Sequence, residues 1–165
     1  MLDAIKDLPE VPTNDDLRQI TYLDHLIDET LRLYGAAPAP LPRSVPAGGR
    51  TLAGHYVPEG MTVSPVAFVL HRDQEIFPNP EMWVPERWEN ATKEMRDASY
   101  AFGGGSRICI GMHLAKMELR GAVTAFFRQF PTATVAYGVD GFSERDMETL
   151  EFFLVKARGG RCLIK

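Results

Sequence analysis

The chain has few cysteines, no excess of basic residues and no long hydrophobic run. Two cysteines among 165 residues are too few to build a disulfide framework. Lysine and arginine number 18 and aspartate and glutamate 22, so the formal net charge of −4 argues against a nucleic-acid partner. The apolar stretches are short and interrupted, which predicts neither a transmembrane segment nor a signal peptide.

What is present is typical of one globular domain with a modest core, since 45% of the residues are hydrophobic. No internal repeat or low-complexity segment interrupts it. Apolar residues between Ile20 and Tyr34 recur at helical spacing, which predicts a helix with Asn14, Asp15 and Asp16 near its start and Gly35 at its end. A second helix is predicted over Met112–Phe130, where Pro131 closes the pattern.

The other segments predict small antiparallel β elements, so the expected fold class is α+β. Strand-like runs at Thr51–Val57 and Thr62–Val69 flank a turn and indicate a hairpin. The long stretch between them and the second helix has little periodicity, apart from a short helix near Ala91–Asp97. In the tail, strands are predicted at 132–137, 152–155 and 162–164, with Cys162 half-buried by alternation.

The most distinctive stretch is residues 102–111, in which glycines, one arginine and one cysteine precede the second helix. Its glycines permit tight turns and close backbone approach. Cys109 then lies at a helix start, where unpaired N–H groups and the helix dipole favour the thiolate that binds metal ions. One such ligand is enough for a haem iron. For a lone cysteine the alternative is an inert, buried structural residue.

This stretch resembles the Phe-x-x-Gly-x-Arg-x-Cys-x-Gly signature of the cytochrome P450 haem-thiolate monooxygenases. All five specified positions are present, namely Phe102, Gly105, Arg107, Cys109 and Gly111. The resemblance implies a bound haem, iron protoporphyrin IX, with Cys109 as the thiolate ligand of the iron. It also implies that Phe102 packs beside the sulfur and shields it.

Two further motifs carry the same resemblance. Glu29-Thr-Leu-Arg32 in the first helix matches the family's Glu-x-x-Arg motif, and Pro85–Trp88 resembles its Pro-Glu-Arg-aromatic motif. The resemblance implies a structural triad of Glu29, Arg32 and Arg87 that locks the Cys109 loop against the first helix. Taken alone, an i,i+3 pair is more often a surface salt bridge contributing about 0.2–0.5 kcal/mol.

The two propionates of a haem need positively charged partners. The resemblance assigns Arg107 to one of them and Arg43 to the other. His71 opens a His-Arg-Asp run that is common in eukaryotic members, and both a propionate contact and a structural hydrogen-bonding role stay open for it. That run, and Trp88 in place of the commoner phenylalanine, favour a eukaryotic, fungal-like parent.

The resemblance covers nearly all of residues 1–165, but only the C-terminal, haem-ligating part of the family's mainly helical fold. The expected architecture is two long helices with small antiparallel β elements and a cysteine loop. The resemblance implies that the distal helices that cover the haem lie outside these residues, as would an N-terminal segment that anchors the parent to the endoplasmic-reticulum membrane. The implied location is intracellular.

The implied function of the intact enzyme is insertion of one oxygen atom of O₂ into a small organic substrate, with electrons from a reductase. The chain alone is expected to be inactive, because a haem pocket needs cover on both faces. It is also expected to self-associate through uncovered apolar stripes on its two helices, Leu23/Leu26/Ile27 and Leu114/Met117/Phe126.

Two alternatives remain at this level. One is a truncated module that binds haem without catalysis, or binds none. The other is a small structural metal site formed by Cys109 with His113 or His71. The second is disfavoured because zinc sites normally have three or four protein ligands at recognisable spacing.

Overall fold

The computed structural model describes residues 2–151 and 154–165, and helices make up most of its regular structure. The helices are α1 (Leu2–Lys6), α2 (Asn14–Arg18), α3 (Thr21–Tyr34), α4 (Ala67–Leu70), α5 (Lys93–Ala98), α6 (Met112–Gln129) and α7 (Glu144–Met147). The strands are β1 (Arg43–Ser44), β2 (Arg50–Leu52), β3 (His55–Val57), β4 (Thr62–Val63), β5 (Thr149–Glu151) and β6 (Val155–Ala157). Within these residues each strand has one antiparallel partner, in the pairs β1–β4, β2–β3 and β5–β6. The expected α+β class is confirmed.

The two predicted long helices are present as α3 and α6. Gly35 ends α3 as predicted, and a Cβ atom there would lie 2.6 Å from the carbonyl oxygen of Leu31. The predicted start near Asn14–Asp16 is wrong: these residues lie in the separate helix α2, because Thr13 and Asp16 make a reciprocal capping box and Ile20 leaves helical geometry. Helix α6 ends one residue before Phe130, whose α conformation is disfavoured by the following proline.

The predicted hairpin between Thr51–Val57 and Thr62–Val69 is wrong. The first run folds back on itself, because Ala53 and Gly54 both have positive φ and form a tight turn between β2 and β3. Strand β4 pairs instead with β1, and it stops before Pro65, which has no N–H for the ladder. The chain then enters helix α4.

The tail differs in part from the prediction. Val135 forms an isolated bridge with Ile164, so the first and last predicted runs do meet, but neither extends into a strand. The middle pairing is β5 with β6, and residues 152 and 153 of the predicted strand lie outside the described residues. Cys162 is exposed rather than half-buried.

Two apolar clusters form the core. One lies under α5 and comprises Phe77, Trp88, Ala91, Met95 and Ala98. The other joins α2, α3 and α6 through Leu17, Leu23 and Ile27, with Leu119 and Val123 packed against them. The short helix α5 was predicted near these positions, and the hydroxyl of Thr92 caps it by accepting from the N–H of Met95 at 3.2 Å.

The exposure of the two apolar stripes also differs from expectation. Leu23 and Ile27 of α3 are 0% and 5% exposed, because α6 covers them, whereas Leu26 is half-buried, so most of the α3 stripe is not uncovered. On α6, Leu114, Met117 and Phe126 are 54%, 42% and 36% exposed, as predicted. Within the described residues, no helix combines the length and apolar character needed to cross a membrane.

Candidate functional site

The carboxylate of Glu29 is fully buried and accepts five hydrogen bonds. Oε1 accepts from Nη2 of Arg32 at 2.9 Å, Nε of Arg87 at 3.0 Å and the backbone N–H of Val84 at 2.9 Å. Oε2 accepts from Nε of Arg32 at 2.9 Å and from the indole Nε1 of Trp88 at 3.0 Å. The structure therefore brings Glu29, Arg32 and Arg87 together. Trp88 joins them as a further donor to Glu29, a role that the sequence motif did not predict.

Arg32 uses the rest of its guanidinium to hold three backbone carbonyls. Nη1 donates to the oxygens of His71 at 2.6 Å and Pro80 at 2.7 Å, and Nη2 donates to Met82 at 3.1 Å. The guanidinium carbon lies 5.1 Å from the centroid of the Phe77 ring, which adds a cation–π contact. The Arg32 side chain is fully buried, and each of its donors has a protein partner in place of water.

The triad fastens residues 78–88 to α3. Arg87, whose side chain is 8% exposed, donates from Nη1 to the carbonyl of Pro78 at 3.0 Å. The expectation that the triad itself locks the Cys109 loop is wrong, because the hydrogen bonds and ion pairs of its three side chains within the described residues go to α3, His71 and the 78–88 segment. The hydrogen bonds of the triad therefore do not reach the loop directly.

The environment of Glu29 sets its charge. Burial by itself raises the pKa of the carboxyl, but the hydrogen bonds from Arg32 and from Val84 N–H, the positive charge of Arg32 and the bond from Arg87 together hold the pKa below its usual range. Glu29 is therefore ionised at neutral pH, and its two arginine partners have a buried counter-charge.

His71 connects the cluster to the cysteine loop. Its ring is 2% exposed, Nδ1 lies 2.7 Å from the carbonyl oxygen of Arg32, and Nε2 accepts the backbone N–H of Tyr100 at 2.8 Å. A carbonyl can only accept, so Nδ1 carries the proton. Burial lowers the pKa of His71 to about 4, and the positive charges of Arg32 and Arg72 act in the same direction. Of the two roles left open by the sequence, the structure supports the structural one.

Residues 102–111 form a compact loop that ends in α6. The N–H of Cys109 donates to the carbonyl of Phe102 at 2.9 Å, and the carbonyl of Cys109 accepts from the N–H of Met112 at 3.2 Å. Gly105 has a φ of +63°, a conformation that other residues rarely adopt, and Gly111 caps α6. The side chain of Cys109 is exposed at this helix start, so the inert buried alternative does not apply.

The surface around Cys109 fits a haem. Ile110 is fully exposed and Leu114 half-exposed, which offers an apolar face next to the sulfur. Arg107 is exposed and makes no ion pair with any described residue, so its guanidinium is free for an anion such as a propionate. Phe102 is half-buried under the loop. An exposed thiol beside apolar side chains and a cation suits a flat, apolar and anionic ligand.

Arg43, the second candidate for a propionate, lies on β1 rather than in the loop. It is half-buried, and its Nη1 donates to the carbonyl of Pro42 at 2.9 Å. The segment before it approaches the loop, since a Cβ atom on Gly103 would be 3.6 Å from Cδ1 of Leu41.

The metal-site alternative has no support in the described part of the chain. Within it, no group of three or more histidine, cysteine, aspartate or glutamate side chains is arranged to hold a metal ion. Both ring nitrogens of His71 are occupied by backbone groups.

Solved structures share this fold. The chain superposes on the retinoic-acid-bound cyanobacterial CYP120A1 with a TM-score of 0.76 and 25% identity, covering 92% of the chain and 33% of that protein. It superposes on the cytochrome P450DA haem domain with a TM-score of 0.76 at 21% identity, covering 99% of the chain and 35% of that domain. The fold is that of part of a cytochrome P450 haem domain.

The sequence comparisons define the family. The family model described as Cytochrome P450 matches residues 3–143. The cytochrome P450 monooxygenase tazI of Aspergillus terreus is 52% identical over 99% of the chain, and orf2 of Aspergillus niger is 46% identical over 100% of it. The chain belongs to the cytochrome P450 family, the monooxygenases that the sequence motifs resembled, and it spans about a third of the length of these fungal relatives (34% of each).

The buried cluster predicts a large loss of stability on removing any charged member. Glu29→Ala and Arg32→Ala should each lower the free energy of unfolding by about 3–5 kcal/mol, because each leaves buried charge without its partner. Denaturant melts followed by circular dichroism measure this. Lys6→Ala breaks an exposed i,i+3 pair with Asp3 and is the control, which should leave the midpoint unchanged. Equal midpoints in all three variants would mean that the cluster is energetically an ordinary surface pair.

Trp88→Phe tests the fifth donor to Glu29. The ring stays apolar but the indole N–H is lost, so the free energy of unfolding should fall by about 1.5–3 kcal/mol, the range for a hydrogen bond to a charged group. Trp83→Phe is the matched control, because its indole donates at 3.2 Å to the Thr30 hydroxyl on a half-exposed surface. A loss no greater for Trp88→Phe than for Trp83→Phe would remove Trp88 from the cluster.

The pKa of His71 predicts a specific acid sensitivity. Folding holds the pKa near 4 against an ordinary 6.5, so its contribution is fully present above pH 6.5 and is lost as the pH falls toward 4. The loss should amount to roughly 3 kcal/mol across that window. Urea melts at stepped pH should show a shallower decline for His71→Gln than for the wild type. The exposed His55→Gln should keep the wild-type slope; identical slopes in all three would show that His71 is not held neutral.

Proposed function

We propose that residues 1–165 are the C-terminal, haem-ligating part of a monooxygenase, in which Cys109 supplies the thiolate to the haem iron. The observation that carries this is the exposed sulfur of Cys109 at the start of α6, in a loop closed by the bond between Cys109 N–H and the Phe102 carbonyl. Membership of the cytochrome P450 family supports it.

The remaining loop residues have roles that follow from where they lie. Arg107 would neutralise one propionate and Arg43 the other, while Phe102 would cover the sulfur from the loop side. Gly105 provides a turn at positive φ, and Gly111 caps α6, whose positive N-terminal end follows Cys109 and would favour its thiolate. The exposed apolar face at Ile110 and Leu114 would lie against the macrocycle and exclude water.

A bound haem supplies the activation of O₂, so that one oxygen atom enters a small organic substrate with electrons from a reductase. The described residues hold and orient that group and shield its ligand. Because the chain spans about a third of its relatives, we assign turnover, substrate, reductase and attachment to the endoplasmic-reticulum membrane to the longer protein. The chain alone should bind haem weakly and not turn over.

Substitution of Cys109 tests the ligand. In the full-length protein, Cys109→Ala and Cys109→Ser should abolish the carbon-monoxide spectrum of reduced thiolate-ligated haem, because neither side chain provides a thiolate. Circular dichroism should stay unchanged, since the sulfur is exposed and the packed helices remain. Cys162→Ser, at the other exposed cysteine, is the matched control and should keep the spectrum. A thiolate-type spectrum in Cys109→Ser would refute the assignment.

The exposed stripe on α6 predicts that the isolated 165-residue chain self-associates. Light scattering should report a mass above the monomer, and the double variant Leu114→Gln/Met117→Gln should lower it, because apolar exposed area drives the association. Val11→Gln, at a single residue 84% exposed on another part of the surface, is the control and should have no effect. A monomer with full haem content and reductase-supported turnover would show that the chain is a complete small enzyme.

A further inference from the structure

We propose that His71 is the positioning residue of the cysteine loop: its neutral ring, bonded to the backbone of α3 on one side and to Tyr100 on the other, sets where the loop with Cys109 stands. This inference rests on the proposed function of Cys109 as haem ligand. The triad is tied to α3 and to residues 78–88, whereas the ring of His71 contacts both α3 and the segment leading into the loop.

Tyr100, the residue whose amide binds to His71, supports the first turn of the loop. The carbonyl of Tyr100 accepts the N–H of Gly103 at 2.9 Å, which begins the turn. The phenol ring of Tyr100 lies against Gly104, where an added Cβ would be 2.5 Å from Cε2. A shift of Tyr100 would therefore be transmitted to the glycines, and from them to Cys109.

After the loop, α6 is joined to α3 by the ion pairs Lys116–Asp28 at 2.8 Å and Arg120–Asp24 at 2.6 Å, but the loop itself has little other support on the α3 side. A cavity of about 420 Å³ separates α3 from the loop, and its lining includes Leu31, Phe102, Gly103 and Ile108. Beside this cavity, Gly35 at the end of α3 approaches Ala101, since a Cβ atom added to Gly35 would lie 3.6 Å from the Cβ of Ala101. Because an open cavity resists displacement less than packed side chains do, the His71 bonds carry much of the positioning.

A histidine suits this role because one rigid ring supplies a donor and an acceptor on two different atoms. Nδ1–H satisfies the Arg32 carbonyl, and Nε2 satisfies the Tyr100 amide, so neither buried backbone group is left unpaired. Asparagine can replace only Nδ1 and so keep the bond to the Arg32 carbonyl. Glutamine can replace only Nε2 and so keep the bond to the Tyr100 amide. The two substitutions therefore separate the two bonds.

The experiment uses the full-length, haem-loaded protein. In the ¹⁵N-labelled wild type, the His71 nitrogens should show the Nδ1–H tautomer, and the Tyr100 amide should be protected from hydrogen exchange. His71→Ala should speed hydrogen exchange of the Tyr100 amide, and haem transfer to an excess acceptor protein, by about tenfold or more. The reason is that an unpaired buried amide or carbonyl destabilises the structure by about a factor of ten in an equilibrium constant. Compared with His71→Ala, His71→Gln should restore protection of the Tyr100 amide and slow haem transfer more than His71→Asn does. His55→Ala, at an exposed histidine, is the control and should behave as the wild type.

The outcomes separate this inference from the proposed function. An Nε2–H tautomer, an unprotected Tyr100 amide in the wild type, or wild-type haem transfer in His71→Ala would each overturn the positioning role. If His71→Ala does not fold, the tautomer and exchange measurements on the wild type still decide. If Cys109 proves not to be the ligand, the Cys109 variants keep the thiolate-type spectrum of the wild type, while the His71 tautomer and the Tyr100 exchange remain as predicted.

Discussion

A single buried carboxylate organises this structure. An ionised group removed from water must have its lone pairs satisfied, and Glu29 meets that demand with five donors drawn from α3 and from residues 84–88. Neither segment can move without unpairing buried charge. The irregular stretch from Phe77 to Trp88, which contains the 3₁₀ turn at Pro85–Trp88, is therefore held in place by charge and by the cluster under α5.

A series of polar contacts connects this carboxylate to the cysteine loop. Arg32 holds the carbonyl of His71, the ring of His71 returns to the carbonyl of Arg32, and its other nitrogen takes the amide of Tyr100. Tyr100 in turn supports the glycines that shape the loop of Cys109. Each step uses hydrogen bonds of fixed direction, which position a loop more sharply than apolar contacts of the same area would.

The two faces of the chain have opposite character. Toward its interior, Leu23 and Ile27 of α3 are covered by α6 and the ion cluster is dry. Toward the outside, Cys109, Ile110 and the Leu114 face of α6 are open. An exposed sulfur among apolar side chains is unfavourable while that surface faces water. It becomes favourable when a flat apolar cofactor and further protein cover the surface.

The motifs were readable from the sequence because their chemistry is local. The five signature residues, the Glu-x-x-Arg spacing and the helical periods of α3 and α6 each depend on positions close together in the chain. The sequence also identified the resemblance that the family comparison bears out. Tight turns were harder to predict. Ala53 has a left-handed conformation that is unusual for alanine, and its turn places the hairpin between β2 and β3.

Only the tertiary structure decided which distant groups share a partner. Trp88 lies 59 positions from Glu29, and Tyr100 lies 29 positions from His71, so no periodicity or spacing could join them. The same applies to the protonated atom of His71, which is settled by a carbonyl on one side of the ring and an amide on the other. Sequence determines which donors and acceptors exist, but a buried hydrogen bond also requires that folding bring both groups within 3 Å or so and remove the competing water.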